Sequence, residues 1–494
     1  MVPSRSGKHA APDPAGGDSS ANGAAPPAPP ARDVGVRCWD LPFSATPPRM
    51  INPELGLPNL VSRTSQDASY SIDVTLLDTP DHRLLRAGVV LAHRVVDGRG
   101  EWYLGSTGWE PLLPTERIEP MGQAELPPDY VDLVMPLRRR ATLGPVAALT
   151  CERREFAFKT TAGAVQAVLR DDRVTVSRGG LVTARYREVT LTPQPPGLEA
   201  DQLRWIDQAL LSAGATRVPG FPELTARLGA PATGRTDFPE PRPVTGGSPF
   251  ARFVSSVVTG GVREIVRADL AVRTGDPAGA EALAEAAGEL GATLQGLSAA
   301  LDPDWLQGLD EELVWLAGEA RAGAAREDGL AGLAAQLRRE RYLHLLERLV
   351  TATRGPRLGA SGDLETTEVL STLLDSAVAR FGAVADRLTA DGPSADWADA
   401  SSAADELRLV ARAVTGVLGK PAARTVRRFR RPFRALETAL DVGGVADGLS
   451  DDLETLGPVE AFERGRAYER TLGEVREARE QFVAAWTRAA AKLR

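Results

Sequence analysis

Residues 76–105 read LLDTPDHRLLRAGVVLAHRVVDGRGEWYLG, and the reading of this stretch decides the fold class. A β-rich run ends in Asp78-Thr79-Pro80-Asp81. An apolar stretch follows, and then the aromatic segment EWYLG. β-branched and aromatic runs punctuated by Pro, Asp and Gly predict short strands. Asp78 and Thr79 are expected as turn and capping residues, because their short side chains bond nearby backbone.

Outward from this stretch the same texture runs from Val34 to about Leu228. YSIDVTLL, REFAFKT, AVQAVL, RVTVS and YREVTLT lie between Gly, Pro and Asp breaks. One helix interrupts it: in EADQLRWIDQALLSAGA, Leu203, Ile206, Leu210 and Leu211 share a helical face. PATGRTDFPEPRPVTGGSP (231–249) is too rich in Pro and Gly for an element and reads as a linker. After Phe250 apolar residues recur every three or four positions. The stripes include Trp305, Leu309, Leu313 and Leu316; Tyr342, Leu345, Leu346 and Leu349; Leu370, Leu374, Phe381, Val384 and Leu388; and Tyr468, Leu472, Val475, Phe482 and Trp486. This is helical-bundle patterning, and the stripes are core. Residues 1–32, rich in Pro, Ala, Gly and Ser, cannot bury enough apolar surface to offset their ordering entropy and are expected to be disordered. The expected organisation is a tail (1–32), a β-rich domain (33–230), a linker (231–248) and an all-α domain (249–494) with two halves of similar size.

Composition bounds the function. A net charge of −8 over 494 residues gives no bulk attraction to nucleic acid or an anionic membrane, so any anion site must be local. Cys38 and Cys151 are too few for a disulfide framework and lack CxxC spacing. The four histidines, His9, His82, His93 and His344, show no metal-ligand spacing. No run approaches a membrane span and no signal-peptide pattern opens the chain, so a cytoplasmic protein is expected.

Asp78, Thr79, Pro80, Asp81, Leu85, Gly88, Leu91 and Arg94 stand where a known pattern wants them. GPVAAL (144–149) before Arg153, YREVTL (186–191) and SAGA (212–215) follow in the same order. Over about residues 34–228 the chain resembles the CYTH family, the triphosphate tunnel metalloenzymes. With a helical region after it, the chain looks like the CYTH–CHAD pairing. The resemblance implies an α+β multidomain fold: an antiparallel β-tunnel, then a helical-bundle domain whose family binds inorganic polyphosphate through basic residues. It also implies triphosphate hydrolysis with Mg²⁺ or Mn²⁺ held by inward-facing carboxylates.

The chain departs from both patterns. Val34, Val36 and Cys38 occupy the places of the family's Glu-x-Glu-x-Lys, and Glu188, Thr190 and Thr192 those of Glu-x-Glu-x-Glu. Ala92 replaces the first arginine of Leu-Arg-x-Arg, while Arg94 remains; the lysine expected after the closing helix is replaced near Glu223. Glu188 alone is a poor divalent-metal site. No catalytic residue is assigned, and metal-assisted hydrolysis is not expected. Arg94, Arg153 and Glu188 stand either for an internal ion-pair set or for a remnant anion site. In the helical region Ala280, Leu283, Ala287 and Gly288 replace the basic residues expected after Asp276-Pro277, while Glu312, Leu313, Trp315 and Leu316 keep an expected element. Asp405 stands at a histidine position beside Arg408 and Arg412.

KPAARTVRRFRRPFR (420–434) runs against this loss, for it contains no acid. On a helix Arg424, Arg427, Arg428 and Arg431 share a face, and the guanidinium fork suits phosphate. The bland alternative is a solvated face pairing with the acidic DGLSDDLET (447–455). Arg138–Arg140 is expected as a solvated loop. Three functions follow: a non-catalytic CYTH–CHAD relative binding polyphosphate or another polyanion, at polyphosphate granules or elsewhere in the cytoplasm; a triphosphatase with relocated carboxylates; or a protein-interaction module. No membrane or specific nucleic-acid partner is expected.

Overall fold

The computed structural model describes residues 35–65, 68–122, 125–450 and 456–492; the expected disordered tail, Val34 and residues 451–455 of the acidic segment lie outside them. The N-terminal region forms a ten-stranded sheet. Its strands are β1 (Arg37–Leu41), β2 (Asn59–Arg63), β3 (Tyr70–Asp78), β4 (Val89–Val96) and β5 (Arg99–Ser106). Then come β6 (Arg117–Pro120), β7 (Gly144–Lys159), β8 (Val165–Arg178), β9 (Leu181–Pro193) and β10 (Thr216–Val218). The order is β10-β1-β9-β8-β7-β3-β4-β5-β6, with β2 paired to β7. The pairings of β1 with β9 and β10, of β2 with β7, and along β3-β4-β5-β6 are antiparallel.

The helices are α1 (Arg83–Arg86), α2 (Pro128–Leu133), α3 (Met135–Arg138), α4 (Ala200–Ser212) and α5 (Leu224–Leu228) among the strands. The helical region follows with α6 (Phe250–Arg273), α7 (Gly279–Gly296), α8 (Pro303–Ala324), α9 (Gly329–Leu337) and α10 (Glu340–Arg354). It closes with α11 (Thr366–Ala385), α12 (Ser394–Leu418), α13 (Lys420–Ser450) and α14 (Pro458–Ala490).

The Asp-Thr-Pro-Asp turn is built as its side chains dictate. Strand β3 ends at Asp78, whose buried carboxylate accepts the N–H groups of Thr79 at 2.6 Å and of Leu84 and Leu85 at 2.9 Å. It thereby satisfies orphan donors of α1. Thr79 Oγ1 accepts the Arg83 N–H at 3.0 Å and donates to Asp81 at 2.8 Å. Gly88, at φ +74°, then turns the chain into β4, a conformation that favours glycine.

The residues group into two compact units. The first holds residues up to Ser69 with Arg153–Arg173 and Tyr186–Phe221. Its core packs Trp39, Phe158, Leu169 and Leu191 against Leu203, Ile206 and Leu210 of α4. Leu211, expected on that face, is 45% exposed, because adjacent helical positions diverge by about 100°. The second unit holds Tyr70–Glu152, Val174–Arg185 and Pro222–Arg494. One continuous core joins Leu91, Trp102 and Leu104 of β4 and β5 to the apolar faces of α6–α14. The expected leucine stripes of α8, α10 and α11 lie within it, whereas Leu472 of α14 is 38% exposed.

Two ion-pair networks cross the second unit. Buried Asp269 accepts from Arg273 at 2.7 Å and from the Tyr342 hydroxyl at 2.8 Å. Arg273 also reaches Asp132 of α2 at 2.6 Å and the Leu337 carbonyl at 3.0 Å, and Asp132 takes Arg338 through two bonds of 2.7 and 2.9 Å. In the second network Arg83 and Arg139 meet Glu347 at 2.6 and 3.2 Å, and Arg139 and Arg354 meet Asp237. Arg138–Arg140 is therefore not simply a solvated loop. Arg139 is 1% exposed, because its positive φ at the end of α3 turns the side chain inward onto Asp237 and Phe238.

Candidate anion-binding surface

Strand register fixes what each sheet face presents. In the second unit the pairing of β4 with β5 sets Ala92 opposite Tyr103 and Arg94 opposite Glu101, so these four share a face. Arg94 forms an ion pair with Glu101 at 2.7 Å, approaches Glu116 at 3.7 Å and lies 4.7 Å from the Tyr103 ring centroid. Burial, with Glu116 nearby, pushes the Tyr103 hydroxyl above its usual range against the pull of Arg94. The arginine that remains of Leu-Arg-x-Arg thus has a carboxylate on it. Glu101 lies seven residues downstream, across the hairpin from Arg94.

In the first unit β1 and β9 set Cys38 opposite Thr190 and Asp40 opposite Glu188, giving two carboxylates on one face. Arg153 of β7 binds Asp172 of β8 through two bonds of 2.8 and 2.9 Å, and Arg170 reaches the same carboxylate at 3.2 Å. Sequence reasoning named Arg153 and Glu188 but missed Asp172 and Asp40. The period-two position of Asp40 after Cys38 was the available signal for the latter. Among the described residues no group of three or more His, Cys, Asp and Glu side chains is arranged to hold a metal ion. With Asp172 taken by two guanidinium groups, the described residues offer no set of three carboxylates for a divalent cation, and no step through one follows.

The helical region gathers its cations differently. Ala280, Leu283 and Ala287 of α7, standing at lost basic positions, are core residues at 0% exposure. Glu312 pairs with Arg341 at 2.8 Å, and Arg341 lies 4.2 Å from the Trp315 ring. On α12, Arg408 is held by Asp405 at 2.9 Å and by Glu437 at 2.5 Å and lies 4.7 Å from the Phe433 ring, while Arg412 pairs with Glu289 of α7. Arg424, Arg427, Arg428, Arg430, Arg431 and Arg434 of α13 are exposed. None of these six forms an ion pair with a described residue. The helix places them because Ala422, Phe429, Pro432, Phe433 and Leu436 take its buried side.

Two neighbouring depressions result. A groove of about 780 Å³ between α12 and α13 has Arg408, Arg412, Arg427, Arg430 and Arg434 on its rim, and its floor includes Leu407, Val426, Phe429 and Phe433. A second, of about 540 Å³ between α13 and α14, is lined by Arg424, Arg427, Arg428 and Arg431 together with Arg488 and Lys492. The structure thus brings the expected Arg408, Arg412, Arg424, Arg427, Arg428 and Arg431 onto adjoining surfaces and adds Arg488 and Lys492 from α14. No sequence spacing linked those two to α13; only the antiparallel approach of α14 does so. Arg94 and Arg153 take no part in either depression.

No helix among the described residues is long and apolar enough to cross a membrane. No family model matches the chain, and no curated protein matches it. Solved structures similar to it include PptA from Streptomyces chartreusis, 19% identical with a TM-score of 0.34, the match covering 49% of this chain and 100% of that one. A candidate adenylate cyclase from Bacillus halodurans is 13% identical with a TM-score of 0.21, covering 35% and 96%. HpAC1 from Hippeastrum, described as a candidate adenylyl cyclase with a dominant triphosphatase activity, is 11% identical with a TM-score of 0.21, covering 39% and 92%. At these scores the likeness says nothing of what this chain does.

Proposed function

We propose that the chain is a CYTH–CHAD relative without metal-assisted catalysis, which binds a polyanion, inorganic polyphosphate by its resemblance, on the arginine surface of α13. The observation that carries this reading is the set of six exposed α13 arginines without an ion-pair partner among the described residues. Guanidinium groups left uncompensated on adjoining depressions supply the local positive field that an acidic chain otherwise lacks. Arg94 and Arg153, each already bound to a carboxylate, offer a second anion much less.

Long-chain polyphosphate titrated at two salt concentrations tests the proposal. With about six phosphate contacts and a slope of about −0.7 per contact, a tenfold rise in salt should weaken binding by about 10⁴-fold. Changing Arg427, Arg428 and Arg431 together to Glu should abolish binding, and Arg94→Ala should leave it unchanged. Binding indifferent to the triple change would refute the proposal. One observation favours a second reading, hydrolysis of triphosphate: Asp40 stands beside Glu188 on one face. Turnover of tripolyphosphate with Mg²⁺ or Mn²⁺ that Glu188→Gln abolishes would establish that reading instead.

A further inference from the structure

The α13 arm of the α13–α14 hairpin is polarised along its length. Its base carries the arginines of 424–434, with Arg488 and Lys492 opposite them on α14. Between Arg434 and Arg464 the sequence has no Lys or Arg, while Asp441, Asp447, Glu460 and Glu463 are among its acids. Arg464, at the tip, is turned back onto the carbonyls of Gly448 and Leu449 at 2.8 and 3.1 Å, closing the hairpin.

The same tip exposes large apolar side chains. Val445 is 58%, Val459 72% and Phe462 66% exposed. Val459 and Phe462 are three residues apart on α14, hence neighbours on one helical face, with Glu460 and Glu463 beside them and the Arg466 guanidinium 6.0 Å from the Phe462 ring. The base has the complementary feature. The groove between α12 and α13 exposes Val426 (47%) on its floor, over the already buried Phe429 and Phe433, beneath a rim of arginines. A fully hydrated polyphosphate chain can neutralise that rim but gains nothing from the floor. An apolar helix end flanked by carboxylates satisfies both.

The tip cannot reach its own groove. Val426 and Val445 are nineteen residues apart on one helix, about 28 Å along its axis at 1.5 Å per residue. We propose that the α13–α14 hairpin is a self-association element, the acidic, apolar tip of one copy seating in the arginine-rimmed groove of a second copy. Two hairpins lying antiparallel would make the contact twice, tip to base and base to tip, about a two-fold axis. The apolar knob supplies buried area and the opposed charges set the register.

Sedimentation velocity of the full chain at low salt tests this, and a concentration-dependent dimer is expected. Raising salt from about 0.05 M to about 0.5 M should weaken it by tenfold or more, because the rim contacts are exposed and screened. Changing Val459 and Phe462 together to Ser should give a monomer with an unchanged circular dichroism spectrum, since both side chains are exposed. Changing Arg427 and Arg430 together to Glu should do the same. Mixing these two monomeric variants should restore a heterodimer, because one intact tip and one intact groove remain in the pair. Polyphosphate binding should survive the tip variant, so failure of this inference and failure of the polyanion reading are read separately. A chain monomeric at every concentration, a dimer indifferent to both variants, or no heterodimer on mixing would overturn the inference.

Discussion

Replacing Arg273 with Met removes the one side chain that touches Asp269, Asp132 and the Leu337 carbonyl together. Asp269 is fully buried and would keep only the Tyr342 hydroxyl; Asp132 would keep Arg338; the Leu337 carbonyl would lose this donor. Breaking a buried pair by removing one partner costs about 3–5 kcal/mol, and an unpaired buried carbonyl adds about 1 kcal/mol. Methionine fills most of the vacated volume and returns some of this, which leaves a net loss of about 4 kcal/mol. At about 2 °C per kcal/mol, suitable for a large unit, the melting temperature should fall by about 8 °C. Thermal denaturation followed by tryptophan fluorescence reads this, since Trp102, Trp109 and Trp397 lie in the same core. The double change of Asp269→Leu with Arg273→Met should be milder than Arg273→Met alone, because no orphan carboxylate is left. A shift under about 2 °C for the single change, or a worse double variant, would refute the reasoning.

Asp78→Ala should leave three buried N–H groups without an acceptor, each costing about 1–3 kcal/mol. The amides of Leu84 and Leu85 should then lose protection from hydrogen exchange by at least about tenfold, with Asp78→Asn in between; unchanged exchange would rule out the capping role. Asp132 supplies a pH dependence. Burial pushes its carboxyl up, but the bonds from Arg338 and the charges of Arg273 and Arg338 outweigh this and hold it below the usual 3.8. Its contribution to stability is therefore fully present above that value and is lost as pH falls through the lower, folded-state value. Asp132→Asn should flatten the fall of melting temperature below about pH 4, and an unchanged acid limb would contradict the assignment.

The sequence revealed elements where a local pattern and a tertiary demand coincide. Tyr342, Leu345, Leu346 and Leu349 have the helical period because one face is buried, and all four are at 0% exposure. Asp78 was legible as a cap because its partners lie within seven residues. The arginine run of α13 was legible as one face for the same reason. The acids that occupy Arg153 and Arg412 were not, since Asp172 lies 19 positions away on another strand and Glu289 lies 123 away on another helix. Which carboxylate meets which guanidinium is decided by the approach of whole elements. The exposure of Val459 and Phe462 was hidden likewise, because their i, i+3 spacing is also that of core residues.

The continuous core of the second unit bears on how such a chain could have been inherited. Trp102, Leu104, Trp109 and Tyr130, encoded before the Pro-rich segment 231–249, belong to the same apolar cluster as Phe250, Leu270 and Leu345, encoded after it. Recombination at that segment would part residues that shelter one another from water, and each product would carry an uncovered face. Pro-rich stretches often mark where genes exchange modules. Here the core spans the stretch, so parting the strands before it from the helices after it would leave an apolar face of each in water.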